Sequence, residues 1–129
     1  MNPDDVLEDA HTILLVDWPT REVPDSLARA GYTVVSSDGP EEYNAYEVED
    51  GEVVLRPVDG PPDQAELVYT HRPNDELPEI IDLAKQVGAT TVWCQTDSEE
   101  ASRIVESAGL AYVGRPAITD AVRRTGRLG

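Results

Sequence analysis

Residues 13–31 read ILLVDWPTREVPDSLARAG, an apolar block, a polar turn and a helical pattern in immediate succession. The block TILLV, 12–16, is unbroken aliphatic sequence, the character of a strand buried on both faces of a parallel sheet. The segment after it, REVPDSLARAG, carries Pro24 near its start and Gly31 just past its end. That is the asymmetry of a helix, whose first turn tolerates a missing N–H and whose end favours a left-handed residue. Strand followed by helix is the consequence, and the rest of the chain repeats it.

Outward from this unit, residues 1–10 read as a short leading helix and YTVVSS, 32–37, as a second strand that DGPEEYN leaves as a loop. Residues 45–58 differ: two alternating segments flank Asp50-Gly51, the pattern of a β-hairpin, and the proline-rich DGPPD ends it. AELVYT, 65–70, supplies another buried strand. NDELPEIIDLAKQVG places Leu77, Ile80, Ile81, Leu83, Ala84 and Val87 at helical spacing. ATTVWCQ is a further strand, and TDSEEASRIVESAG a helix that Asp97 or Ser98 caps, with Glu100 as in a capping box and Gly109 closing it. LAYVG, 110–114, is a last short strand, and Thr119 is positioned to cap a terminal helix, DAVRRTG. The alternation predicts an α/β fold: a doubly wound, mostly parallel sheet in three α/β/α layers with a small hairpin at 45–58, as one domain over 1–129.

Composition narrows the function classes. Against 26 acidic residues stand ten basic ones, of which only Lys85 is a lysine, and the formal net charge is -16. Nucleic acid is disfavoured as a partner, because affinity for it rests on basic contacts with phosphate. No apolar run approaches the ~18 residues of a membrane span, and MNPDDVLEDAH lacks the basic and apolar regions of a signal peptide, so a soluble cytoplasmic protein is expected. The single cysteine, Cys94, rules out a disulfide framework within one chain. The acidity is spread in short groups such as PEEY, EVEDGE and DSEE, a solvated surface of the kind salt-loving organisms carry; arginine-, aspartate- and glutamate-rich codon usage in a GC-rich genome is the alternative source, and the halophile reading is slightly favoured.

In sheets of this class ligands bind outside the carboxyl ends of the strands. That selects Asp17, Trp18, Pro19, Thr20 and Arg21 after the first strand, Ser36, Ser37, Asp38, Gly39 and Pro40 after the second, Thr70, His71, Arg72 and Pro73 after AELVY, and Gln95, Thr96 and Asp97 after TTVWC. On so negative a chain an anion needs local positive charge, which Arg21 and Arg72 offer as planar forks of donors, beside helix-start amides near Glu22 and Asn74. Arginines at strand ends also pair with carboxylates. Catalysis by His71 and Cys94 lacks a triad or metal partner, and Cys94 reads as a small apolar core residue. Asp17 stands where receiver domains accept a phosphoryl group, but the acidic pair and lysine that they need are not in place.

Several segments resemble one family. VGATTVWCQTDSEEASRIVESAGLAYV, 87–113, is similar to a Gly-Ala, Val-Trp-x-Gln, helix, Ala-Gly-Leu sequence. LARAGYTVVSSDGP is similar to a Gly-Tyr-x-Val strand ending in Asn-Pro, and AELVYTHRPNDELPEII to Asp-x-Val-x-x-Phe-Arg followed by a helix. All three patterns are those of the small CoA-binding domain proteins, Rossmann-like relatives of the CoA-binding domain of the succinyl-CoA synthetase alpha subunit, which this chain resembles over roughly 11–124. By position Arg72 and Gln95 keep the family residue and Asp38 stands where asparagine is usual. The family's Gly-x-Ser turn is replaced by VDWPTR and its Asp-Arg-Cys-Ile by Arg115-Pro116-Ala117-Ile118.

The resemblance implies a non-catalytic module that binds CoA, acyl-CoA or a related adenine nucleotide. Arg21 and Arg72 would neutralise phosphate, Ser36, Ser37 and Asp38 line the adenosine side, and Gln95 with Thr96 close the far wall. The alternative is an interaction protein that keeps the scaffold without the ligand, using Trp18 and the hairpin to meet a partner. The sequence leaves protein partners and oligomeric state open.

Overall fold

The computed structural model describes residues 3–39, 41–96 and 98–125. In chain order they form α1 (Pro3–Asp9), β1 (Thr12–Val16), α2 (Glu22–Arg29), β2 (Thr33–Gly39), β3 (Glu42–Glu49), β4 (Glu52–Val58), β5 (Leu67–Thr70), a 3-10 turn (Asn74–Glu76) running into α3 (Leu77–Gln86), β6 (Thr91–Cys94), α4 (Glu99–Ser107), β7 (Ala111–Val113) and α5 (Ile118–Arg124). The seven strands make one sheet in the order β4-β3-β2-β1-β5-β6-β7. The strands from β2 through β7 in that order pair in parallel, while the hairpin β3-β4 extends the β2 edge antiparallel.

The unbroken apolar character of TILLV has its reason in this placement. β1 lies at the centre, with Ile13 and Leu15 packed into one core and Leu14 into the other. The first core takes Val6 and Leu7 of α1, Val23 and Leu27 of α2, and Ile118, Ala121 and Val122 of α5. The second takes Leu77, Ile80, Ile81 and Ala84 of α3 and Ala101 and Val105 of α4. The result is the expected α/β/α arrangement. At the amino ends of the strands Glu66 accepts the backbone N–H groups of His11 at 2.7 Å and Thr12 at 2.9 Å. Burial pushes its carboxyl up, but these donors outweigh that and hold it below the usual glutamate range.

The hairpin turns at Asp50 and Gly51, whose φ values of 51° and 82° are those of a type I′ turn. It is longer than 45–58. Of the segment read as a loop, DGPEEYN, Asp38 and Gly39 belong to β2 and Glu42, Tyr43 and Asn44 to β3, which pairs with it. Ser98 caps α4, its hydroxyl accepting the Ala101 N–H at 3.0 Å; the other candidate cap, Asp97, and Pro40 lie outside the described residues. Thr119 does not cap the last helix. That helix begins at Ile118, two residues before the expected Asp120, and the fully buried Ile118 side chain anchors its first turn.

Candidate functional site

β1 and β5 are neighbours, but the chain leaves β1 toward β2 on one side and leaves β5 toward β6 on the other, so the strand order reverses between them. At such a reversal the loops diverge and leave a crevice outside the strand carboxyl ends. A cleft of about 680 Å³ occupies that place. Val16, Asp17 and Trp18 line it from the end of β1, Ser37, Asp38 and Gly39 from β2, Tyr43 from β3, and Arg72, Glu76 and Glu79 from the segment that follows β5. The size falls within the ordinary range for small-molecule sites.

Arg72 is the only basic residue in that lining. Its backbone N–H donates to Thr70 Oγ1 at 3.1 Å. Its guanidinium donates to Glu76 Oε2 from Nε at 3.0 Å and from Nη2 at 2.5 Å, and Nη1 lies 3.5 Å from Asp17 Oδ2. Hydrogen bonding to Glu76, then the charges of Glu76 and Asp17, raise its pKa further, so it is a permanent cation. Asp38 is held from beneath: Ser36 Oγ, fully buried, donates to Asp38 Oδ2 at 2.8 Å, and Asn44 Nδ2 donates to the same oxygen. One guanidinium therefore faces Asp17, Asp38, Glu76 and Glu79, and an anionic ligand must enter against that excess of negative charge.

Of the residues singled out from the sequence, Asp17, Trp18, Ser37, Asp38, Gly39 and Arg72 come together in the cleft, with Ser36 under its floor. Arg21 is directed elsewhere. Its Nε donates to Asp25 at 3.1 Å, Nη2 to the Val53 carbonyl at 3.2 Å, and its guanidinium lies 5.8 Å over the Tyr46 ring. It clasps the hairpin to α2. Trp18 meets the same Tyr46 edge to face, with centroids 6.0 Å apart. Pro19, Thr20, His71, Pro73, Gln95 and Thr96 are outside the cleft lining. Gln95 accepts the Tyr69 hydroxyl at 3.2 Å, and the Thr96 hydroxyl donates to the Arg72 carbonyl at 3.4 Å, so both support the β5 and β6 ends without facing the cleft. Cys94 is 1 % exposed, in the core on the α3 and α4 side, as its sequence setting suggests.

Four cleft residues were not anticipated, the first being Val16 at the end of β1. Tyr43 arrives on a strand that the sequence disguises as loop. Glu76 and Glu79 read as a solvated helix start, although the four-residue spacing from Arg72 to Glu76 is a signal for their ion pair. No group of three or more His, Cys, Asp or Glu able to hold a metal occurs among the described residues.

A profile of the family described as "CoA binding domain" matches residues 16–119. Two solved structures share the fold. Prb, described as the PH1109 protein redesigned for binding, is 22% identical, covers 98% of this chain and 94% of its own, and superposes with a TM-score of 0.67. The cell-free ID.343 structure from Thermus thermophilus is 20% identical, covers 97% and 99%, and gives 0.62. A comparison with curated proteins returns no match.

Proposed function

The chain belongs to the CoA-binding domain family, and on that premise we propose that it binds CoA, an acyl-CoA or a related adenine nucleotide in the β1/β5 cleft without performing chemistry on it. The observation that carries this reading is Arg72, a permanent cation set at the switch point of a parallel sheet, lining the cleft with its side chain 42% exposed. Ser37, Asp38 and Gly39, opposite, are placed for the adenosine side, and Trp18 and Tyr43 offer apolar walls for it. The Gly-x-Ser turn of the family is replaced by Asp17-Trp18-Pro19-Thr20, so phosphate recognition falls on the Arg72 side of the cleft rather than on a glycine cradle.

Thermal unfolding in the presence of CoA, acetyl-CoA or ADP, at one fixed potassium chloride concentration, tests it. A ligand that binds only the folded state raises Tm with its concentration, and the expected order places CoA above ADP. Three unmoved melting curves would overturn the reading in favour of a scaffold that meets a protein partner.

A further inference from the structure

The hairpin carries an independent feature. Every large hydrophobic side chain exposed among the described residues lies on it: Val48 at 46%, Leu55 at 42% and Val58 at 37%. Its outer strand β4, Glu-Val-Val-Leu-Arg-Pro-Val, is one edge of the seven-stranded sheet. A two-residue turn closes on a hydrogen-bonded pair, here Glu49 with Glu52, and the pairs then alternate along an antiparallel ladder. Glu52, Val54 and Arg56 therefore bond inward to β3, while the N–H and C=O groups of Val53 and Leu55 and the C=O of Pro57 point outward from the edge.

Edges of this kind are ordinarily protected by charge or proline along their length. Here the charged residues Glu52 and Arg56 flank an apolar Val-Val-Leu centre, and they lie on the same face of the strand two positions either side of Val54. We propose that β4 pairs antiparallel with β4 of a second copy of this chain about a two-fold axis at Val54, so that one sheet runs through both molecules. In that register Val53 and Leu55 of each copy exchange their outward backbone hydrogen bonds, Val54 meets its own equivalent, and Glu52 of one copy faces Arg56 of the other. Arg56, which already meets Glu47 at 2.9 Å and also Glu49, supplies the positive charge at each end. The neighbouring registers are poorer. Centring the axis on Leu55 sets Val53 against Pro57, which has no N–H, and centring it on Val53 sets Leu55 against the turn at Gly51. The Val53 carbonyl accepts from Arg21 and retains its second lone pair for the partner strand.

The register makes cross-linking a specific test. Residues at a non-hydrogen-bonded antiparallel position lie roughly 4.5 Å apart between Cα atoms, within reach of a disulfide. In molar potassium chloride, which screens the repulsion between two acidic copies, Val54→Cys should give a covalent dimer under mild oxidation. Val53→Cys, whose opposite residue is Leu55, and the unmodified chain, whose Cys94 is buried, should not. Sedimentation equilibrium of the unmodified protein should show self-association toward twice 14.1 kDa as concentration rises. Leu55→Pro removes an outward N–H that β3 does not use and should leave a folded protein by circular dichroism that stays monomeric. A single 14.1 kDa mass at every concentration, or cross-linking of Val53→Cys as readily as Val54→Cys, would overturn the proposal.

Discussion

Asp17 concentrates the tension in the cleft. It follows β1 directly with φ at 69°, a left-handed conformation that costs a side-chain-bearing residue about 1–2 kcal/mol and glycine nothing. Aspartate tolerates that region better than most residues, and its carboxylate lies beside Arg72, so the position exchanges backbone ease for an ion pair across the cleft mouth. Both partners are about two-fifths exposed, and a pair so open to water contributes little to stability. Replacing Asp17 with Val should therefore destabilise the protein by ~1–2 kcal/mol in denaturant unfolding, while Asp17→Gly, which relaxes the backbone, should stay within ~0.5 kcal/mol of the parent. Equal losses for the two would show that the left-handed backbone at this position imposes no cost. Asp17→Gly also removes one of the carboxylates that compete with a phosphate for Arg72, so CoA should bind it more tightly than it binds the parent.

The hairpin is the element whose geometry depends most on two residues. Asp50 and Gly51 both hold positive φ, and the Gly51 carbonyl accepts from Arg29 Nη1 at 2.9 Å, which ties the turn to the end of α2. A Cβ at Gly51 meets open space, so Gly51→Ala tests conformation alone and should cost about 1 kcal/mol of stability. An unchanged melting temperature would mean that the turn relaxes without penalty. This hairpin was legible because Asp-Gly between alternating segments is a local signal, and the central strands were legible because burial on both faces leaves an unbroken apolar run. The residues from Asp38 to Asn44 were not, since a polar strand at a sheet margin has no pattern to separate it from loop; Tyr43 was lost from the site with it. Arg72 and Asp38, selected by the rule that ligands sit at strand carboxyl ends, both line the cleft. Arg21 satisfies the same rule in sequence, yet a tertiary contact, the Tyr46 ring and the Val53 carbonyl of the hairpin, draws it away from the cleft.

Across the whole molecule, 26 acidic residues against ten basic ones make self-repulsion the dominant long-range force. Raising potassium chloride from dilute to molar shortens the screening length from ~10 Å to ~3 Å and should raise Tm. A Tm that stays flat or falls would remove the view that this surface is adapted to salt. The same field acts on the cleft, where Arg72 is outnumbered by Asp17, Asp38, Glu76 and Glu79, so ligand binding has to be measured where that repulsion is screened. If Arg72 holds the phosphate of a CoA-type ligand in the β1/β5 cleft, a calorimetric titration of CoA in molar potassium chloride into the parent, Arg72→Ala and Arg103→Ala will show it. Arg103 lies exposed on α4, away from the cleft. Saturable binding to the parent is expected, with an unchanged Kd for Arg103→Ala and a Kd raised at least about tenfold for Arg72→Ala, the scale of a lost charge-assisted hydrogen bond. Binding that is equally tight in Arg72→Ala would contradict it.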